Sequence, residues 1–173
     1  MQKIGNDILF SASDLVHFLE CEHNDGCSQR SEEEAGLIKG ILKSLLEQHY
    51  QDRNRKKHPT SLENIMVVAP YNMQVNLLKR ILPKGARVGT VDKFQGQEAE
   101  VVIISMTTSS GEYLPRYIEF LYSKNRLNVA ISRARTLAIL VVNPSLLSIK
   151  CNTIEQIELV NTLCWAKHYA DQW

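Results

Sequence analysis

The sequence predicts an α/β fold in which a parallel sheet is covered by helices, and three stretches carry this prediction. Residues 101–104 (VVII) and 136–142 (TLAILVV) are apolar runs rich in β-branched residues. Such runs are typical of strands buried on both faces of a parallel sheet. Residues 125–135 (NRLNVAISRAR) have the spacing of a helix and lead directly into the second run. A polar loop, a buried strand, a helix and another buried strand are the units of α/β nucleotide-binding folds.

The helix predicted over residues 125–135 carries arginines on one face. Arg126 and Arg133 are seven residues apart, so their guanidinium groups would lie about two turns apart on the same side. Arginine keeps its charge at physiological pH and binds phosphate through paired hydrogen bonds. The helix therefore indicates a phosphate-binding surface.

Three segments resemble motifs of the superfamily 1 helicases. Residues 66–78 (MVVAPYNMQVNLL) resemble motif IV, residues 90–98 (TVDKFQGQE), with VVIIS after them, resemble motif V, and residues 126–135 (RLNVAISRAR) resemble motif VI. The resemblance extends from about Ser31 to Leu147. It implies the second, C-terminal RecA-like domain of the DNA/RNA helicases that include the nonsense-decay factors, with a P-loop-NTPase-type sheet but no P-loop of its own.

The resemblance also implies which residues bind the nucleotide. Tyr71 would lie against the adenine base, although its ring could instead pack on the following helix. Glu98 would bind the ribose, and Gln95 would lie at the cleft between two domains. Gly96 would allow a backbone turn that a Cβ atom would hinder. For each motif V residue, the alternative is an ordinary solvated loop.

The remaining motif residues are expected to contact phosphates. Thr90 and Val91 would bind a nucleic-acid phosphate, since the family uses the hydroxyl and amide at this position. Arg133 would be the arginine finger, and Arg126 a second phosphate or cleft arginine. Arg135 is expected to form a structural or interdomain pair.

A P-loop is absent from the sequence. No Gly-rich turn ends in Gly-Lys-Ser or Gly-Lys-Thr, and no acidic pair follows a strand to hold Mg²⁺. In the family that these motifs resemble, ATP lies between two RecA-like domains. We therefore expect ATP with Mg only when the site is shared with a partner P-loop domain, namely an N-terminal RecA-like domain. Single-stranded DNA or RNA is the other expected partner.

Two functions remain open at this point. The first is the C-terminal half of an ATP-dependent helicase, which would not hydrolyse ATP alone. The second is a non-catalytic module that binds nucleic acid or protein, or an inactive deletion remnant.

The first long helix is predicted to follow Ser31. Ser31 and Glu34 fit a capping box, in which the serine caps the helix and the glutamate reaches back to the serine amide. The apolar stripe after them consists of Ile38, Ile41, Leu42, Leu45 and Leu46. Residues 52–58 (DRNRKKH) then form a basic loop, which is usually solvated and could alternatively contact a nucleic-acid backbone.

Further elements follow from local signals. Residues 65–69 and 87–91 predict strands, and Asn72 is the expected cap of a helix stopped by Pro83. The last helix is predicted over residues 153–170. Its inward side chains are expected to be Ile154, Ile157, Val160 and either Leu163 or Cys164.

Residues 1–26 differ in character from the rest of the chain. Residues 13–19 (SDLVHFL) predict a short helix capped by Ser13 or Asp14. The stretch SASDLVHFLECEH resembles the beginning of RecB-type nucleases, which precede superfamily 1 helicases in some bacterial proteins. There is no room for the metal site of such a nuclease. We therefore expect a loosely attached truncated segment at residues 1–26 and a RecA-like domain at residues 27–173.

Composition excludes several other classes of protein. A hydrophobic content of 44% excludes a disordered chain, and no apolar run approaches the length of a membrane span. The net charge of +1 means that nucleic-acid binding must come from a local patch. Four cysteines show no disulfide framework and no signal peptide is evident, so a reducing cytoplasm is expected. Cys21, His23 and Cys27 suggest zinc ligands without a fourth, and an ordinary reduced segment is the alternative.

Overall fold

The computed structural model describes residues 16–24, 27–52, 54–109, 124–151 and 154–170. Within these ranges the strands and α-helices are β1 (Val16–Glu20), α1 (Glu32–Leu46), β2 (His49–Gln51), β3 (Lys57–Pro59), β4 (Ile65–Val68), α2 (Asn72–Ile81), β5 (Arg87–Gly89), β6 (Ala99–Ser105), α3 (Lys124–Ser132), β7 (Ala134–Val142) and α4 (Ile154–Ala170). No helix in the described ranges is long and apolar enough to cross a membrane.

Five strands form one sheet in the order β1-β7-β6-β4-β5, and every neighbouring pair is parallel. The carboxyl ends of the strands therefore lie along one edge of the sheet, the carboxyl edge, and their amino ends lie along the opposite amino edge. β2 and β3 form a separate antiparallel hairpin between α1 and β4. The α/β fold with a parallel sheet flanked by helices is confirmed.

Alternate side chains of the sheet enter two separate cores. Val67, Ile103 and Ile139 face the cluster that also holds the buried stripe of α1 and Leu78 of α2. The next residue of each strand faces the other way, into a cluster with Leu127 and Ala130 of α3 and Leu163 of α4. Burial on both faces explains why the strands read as continuous apolar runs.

The N-terminal helix prediction is wrong in its last residues, because Val16–Glu20 is a strand. β1 pairs in parallel with β7, from Val16 opposite Ala138 to Glu20 opposite Val142. The Cys21 amide continues the ladder to the Val142 carbonyl at 2.9 Å. Four half-buried residues and the exposed Glu20 gain a complete ladder here, which a single helical turn could not offer. Residues 1–15 lie outside the described ranges, and the proposed boundary after residue 26 stays a prediction, although residues on both sides of it share one sheet.

The arginine helix is shorter than the sequence predicts. α3 ends at Ser132, and the Arg133 amide closes a tighter turn to the Ala130 carbonyl at 3.3 Å. The Arg133 carbonyl accepts from the Ala99 amide at 3.1 Å, which begins the pairing of β7 with β6. The prediction that Arg126 and Arg133 share one helix face is therefore wrong, because sheet pairing takes over at Arg133.

The terminal helix turns a different face inward than expected. Leu163 is fully buried, but Ile154 is 72% exposed and Ile157 is 48% exposed. Cys164 is also exposed. α4 packs on β1 and on the turn at Pro144–Ser148. Its inner face consists of buried or half-buried residues, namely Val160, Leu163, Ala166 and Ala170.

Candidate functional site

Three strand ends meet at the carboxyl edge of the sheet. The chain leaves β4 at Ala69, β5 at Thr90 and β6 at Met106. A cavity of about 30 Å³ lies between them and α3, which is room for about one water molecule. Its lining residues are Val68, Ala69, Pro70, Thr90, Val91, Asp92, Ile104, Ser105, Met106, Leu127 and Ala130.

Tyr71, Thr90 and Val91 all lie at this carboxyl edge. Tyr71 is the N-cap residue of α2, without a capping hydrogen bond from its side chain. The helix thus begins one residue earlier than the sequence predicted. The Tyr71 ring is half-buried against the core on the α3 side, and burial raises the pKa of its hydroxyl. Thr90 and Val91 accept the amides of a short 3₁₀ turn at Asp92–Phe94, each at 3.1 Å.

The buried carboxylate of Glu34 packs against the end of β6 at the carboxyl edge. The Thr107 amide donates to both of its oxygens at 2.9 Å, and the Ser105 hydroxyl donates at 2.5 Å. His23 Nε2 lies 3.0 Å from Oε1, and both side chains are fully buried. Thr107 has a φ of +69°, a left-handed conformation that is rare for a β-branched residue. The carboxylate therefore holds a strained turn at the end of β6.

The capping-box prediction is half correct. The Ser31 hydroxyl accepts from the Glu34 amide at 3.1 Å, as expected of the N-cap. The Glu34 side chain, however, turns away from its own helix. The Ser31 amide instead donates to Gln74 Oε1 at 2.9 Å, since Glu34 is already saturated by β6 and His23.

Gln74 ties three elements together and was missed by the sequence reasoning. Its amide nitrogen donates to the Ser31 carbonyl and to the Ser105 hydroxyl, both at 3.1 Å. It thereby links α1, α2 and β6 inside the fold. A signal was present, because Gln74 stands four residues before Leu78 on the buried stripe of α2. A polar side chain at such a position needs buried partners.

Arg133 lies at the amino edge, in the turn just before β7. Among the described residues, Arg133 forms no ion pair, and its buried Nε has no hydrogen-bond partner. Beside it, Arg135 Nε bonds Glu98 Oε2 at 2.8 Å and Arg135 Nη1 lies 3.7 Å from Glu100. The prediction of a structural pair for Arg135 is confirmed in the contacts with these two acids.

The loop before β6 leads from the carboxyl edge to the amino edge. Gly96 adopts a φ of +77°, a conformation that favours glycine. Gln95 and Glu98 are exposed, and Glu98 is directly followed by Ala99, whose amide bonds Arg133. Glu98 and Arg133 thus lie together at the amino edge, and Gln95 and Gly96 lie on the loop that leads there.

The structure therefore divides the predicted site residues between two edges. Tyr71 lies with Thr90 and Val91, away from Glu98 and the other expected nucleotide ligands. Arg126 lies in the first turn of α3, and its side chain lies outside the described part. α3 carries the chain toward Arg133 at the amino edge, so Arg126 begins the helix farther from that edge.

The three candidate zinc ligands do not form a metal site. In the described ranges, no group of three His, Cys, Asp or Glu side chains could hold a metal ion. His23 is bonded to Glu34, and burial, with Glu34 and Glu33, raises the pKa of Cys21 to about 11. A protonated thiol is a poor metal ligand. All four cysteines are free, which matches the alternative of a reduced segment.

Comparison with known proteins identifies the protein family to which the chain belongs. A family model described as an AAA domain matches residues 8–145, more than half of the chain. The chain belongs to this AAA-domain family and is a helicase-type domain homologous to superfamily 1 helicases. The matched range includes β1, so this strand lies inside the region shared with the family.

Individual relatives are helicases of much greater length. The chain is 35% identical over 125 residues to the putative helicase MOV-10 of Gallus gallus, covering 62% of this chain and 13% of the relative. It is 38% identical over 98 residues to the probable RNA helicase armi of Drosophila melanogaster, covering 50% and 8%. An uncharacterized ATP-dependent helicase of Methanocaldococcus jannaschii is 31% identical over 161 residues, covering 91% and 20%. The chain thus spans at most a fifth of these relatives.

Proposed function

We propose that this chain acts as the second RecA-like domain of a superfamily 1 helicase and completes an ATP site that a separate P-loop domain builds. The observation that carries the proposal is the buried Nε of Arg133 at the amino edge, which has no hydrogen-bond partner among the described residues. A half-buried arginine without an acidic partner is an unusual arrangement within one domain. A phosphate brought by a partner domain would give it the missing acceptor.

The neighbours of Arg133 support this assignment. Arg135 holds only Oε2 of Glu98 at short range, and the Glu98 side chain is 48% exposed. The other oxygen is therefore open toward solvent, where it could accept a ribose hydroxyl. Glu98 and Arg133 flank the same first hydrogen bond between β6 and β7, so one nucleotide could reach both side chains.

The carboxyl edge is the better candidate for the nucleic-acid track. Thr90 and Val91 lie there beside the cavity, and we propose that they contact phosphates of single-stranded DNA or RNA. Tyr71 lies at the same edge, so its placement supports a contact with this track better than a stack on adenine. Arg126 would then reach phosphate from the start of α3.

ATP with Mg would be held mainly by the partner domain. This chain contains no P-loop, so its own residues would supply charge and a ribose contact but no metal ligand. Any binding of ATP to the chain alone should be weak. The free thiols suit a reducing compartment, and we propose the cytoplasm on that basis.

Reconstitution in trans tests the proposal. The chain alone should show no ATP turnover, and adding an N-terminal RecA-like domain of a related helicase should restore hydrolysis stimulated by nucleic acid. Arg133→Ala should reduce that rate by about 10³-fold or more, as expected for an arginine finger. Arg133→Lys should rescue poorly, because an ammonium cannot reproduce the planar fork.

The control is Arg80→Ala, which removes an exposed arginine in the last turn of α2. It should leave the reconstituted rate unchanged. Equal rates for Arg133→Ala and Arg80→Ala, with both proteins folded by circular dichroism, would refute the finger assignment. Saturable ATP turnover by the repurified chain alone would refute the shared-site proposal, and failure with every P-loop partner would favour a non-catalytic remnant.

A further inference from the structure

The β2–β3 hairpin presents basic side chains that the rest of the fold does not use. Its tip carries the run DRNRKKH at residues 52–58. Arg55, Lys56 and Lys57 are all exposed and form no ion pair within the described ranges.

Asp52, the single acid of this run, is used inside the hairpin. Its Oδ1 accepts the amides of Asn54 and Lys56, both at 2.9 Å, and its Oδ2 lies 3.0 Å from His58 Nε2. The His58 hydrogen bond and the Lys56 amide hold the pKa of Asp52 below its usual value. The carboxylate therefore shapes the turn, and among the described residues it forms no ion pair with Arg55, Lys56 or Lys57.

The hairpin is also anchored at its base. The Tyr50 and His58 rings stack with centroids 5.4 Å apart and planes 27° apart. The Tyr50 hydroxyl accepts from Asn64 at 3.4 Å, and the Thr60 amide donates to the Gln48 carbonyl at 3.0 Å. The cations thus stand on a fixed turn beside a half-exposed pair of aromatic rings.

This surface lies far from the carboxyl edge. α1 begins at Ser31, which Gln74 ties to the end of β6, and it runs 15 residues before the hairpin starts. A helix of that length spans about 22 Å. The hairpin is therefore separate from Thr90, Val91 and the cavity.

We propose that the hairpin binds the phosphate backbone of single-stranded nucleic acid. Surfaces that bind single strands combine unpaired cations with aromatic faces on which bases stack, and both features occur here together. Arg55 lies in the turn, with a φ of +62°, and Lys57 begins β3. Two residues apart, their Cα atoms are at most about 7 Å from each other, so the two cations can meet neighbouring phosphates. This binding surface is a separate proposal from the ATP site and does not depend on its arginine finger.

Fluorescence anisotropy of labelled oligo(dT) and oligo(U) with the intact chain tests the proposal. The triple variant Arg55→Glu, Lys56→Glu, Lys57→Glu should bind at least tenfold more weakly. Its log–log salt slope should be shallower by about 2, given ~0.7 per phosphate contact on single strands. The matched control reverses Lys43, Lys79 and Arg80, which are exposed cations of α1 and α2, and it should change affinity less than threefold.

Two outcomes would overturn the proposal. One is an equal loss in the two triple variants, which would mean that binding follows net charge alone. The other is an unchanged salt slope in the hairpin variant. Should the glutamate variant fail to fold, the corresponding glutamine triple variant carries the test, with a loss of at least threefold expected. The assay contains neither nucleotide nor partner domain, so this site and the ATP site can fail independently.

Discussion

Replacing Glu34 by alanine removes the acceptor that three buried donors share. The Thr107 amide, the Ser105 hydroxyl and the His23 ring all point at its carboxylate. Ser105 can redirect its hydroxyl toward Thr107 Oγ1, 3.4 Å away. The Thr107 amide and His23 Nε2 have no such substitute among their hydrogen bonds in the described part. The substitution therefore leaves two donors buried without an acceptor.

The size of the effect follows from these two donors. A hydrogen bond to a charged group contributes about 1.5–3 kcal/mol, so two of them amount to about 3–6 kcal/mol. Relaxation of the left-handed Thr107 would return about 1 kcal/mol of backbone strain. We expect Glu34→Ala to lower the free energy of unfolding by about 2–5 kcal/mol, a large share of the ~5–15 kcal/mol typical of a domain.

Urea denaturation followed by circular dichroism measures this change. Glu32→Ala is the matched control, because Glu32 lies in the same helical turn with its side chain 71% exposed beside Arg30. Its removal should cost less than about 1 kcal/mol. Glu34→Gln should fall between the two, since its amide keeps one acceptor oxygen but turns an NH₂ group toward the other donors. A loss for Glu34→Ala within ~1 kcal/mol of the control would refute the role given to the carboxylate.

Two further predictions concern the thiols and the glycines. Iodoacetamide at pH 8 should alkylate exposed Cys164 long before Cys21, because burial raises the pKa of the Cys21 thiol to about 11. Cys21 should react only as the pH approaches that value. Mass spectrometry of the modified peptides measures the two rates, and equal rates would contradict the burial of Cys21. Gly96→Ala should destabilise by roughly 1–2 kcal/mol, because it forces an alanine into a positive φ. Gly40→Ala should stabilise by about 0.5–1 kcal/mol, because a Cβ in the middle of α1 meets no atom within 4 Å. Thermal unfolding should show opposite signs for the two variants, and the same sign would refute this account.

The central strands could be predicted because their own residues determine them. Val101–Ile104 and Leu137–Val142 are apolar on both faces, and both faces are covered. β1 could not be predicted in this way, because four of its residues are half-buried and Glu20 is exposed, and because its ladder depends on β7, far along the chain. The end of α3 could not be predicted for a related reason. The Arg133 carbonyl accepts a hydrogen bond from the Ala99 amide of β6, so the chain leaves the helix there and begins to pair in the sheet.

The motif residues could be named from the sequence, but their arrangement could not. Tyr71 and Glu98 were assigned to one nucleotide, whereas the strand directions place them at opposite edges of the sheet. The network of Glu34 and Gln74 could not be predicted because its partners lie between 11 and 73 residues away along the chain. The spacing of residues along the sequence does not indicate contacts over such distances.

The pairing of β1 with β7 has a consequence for how the protein is made. Val16 lies opposite Ala138, so the ribosome must add 122 further residues after Val16 (138 − 16) before this ladder can form. At about 5–20 residues per second, that interval lasts roughly 6–24 s. During this time β4, β5 and β6 can already assemble, while β1 waits as an unpaired strand. Completion of the sheet during synthesis is therefore timed by the emergence of β7.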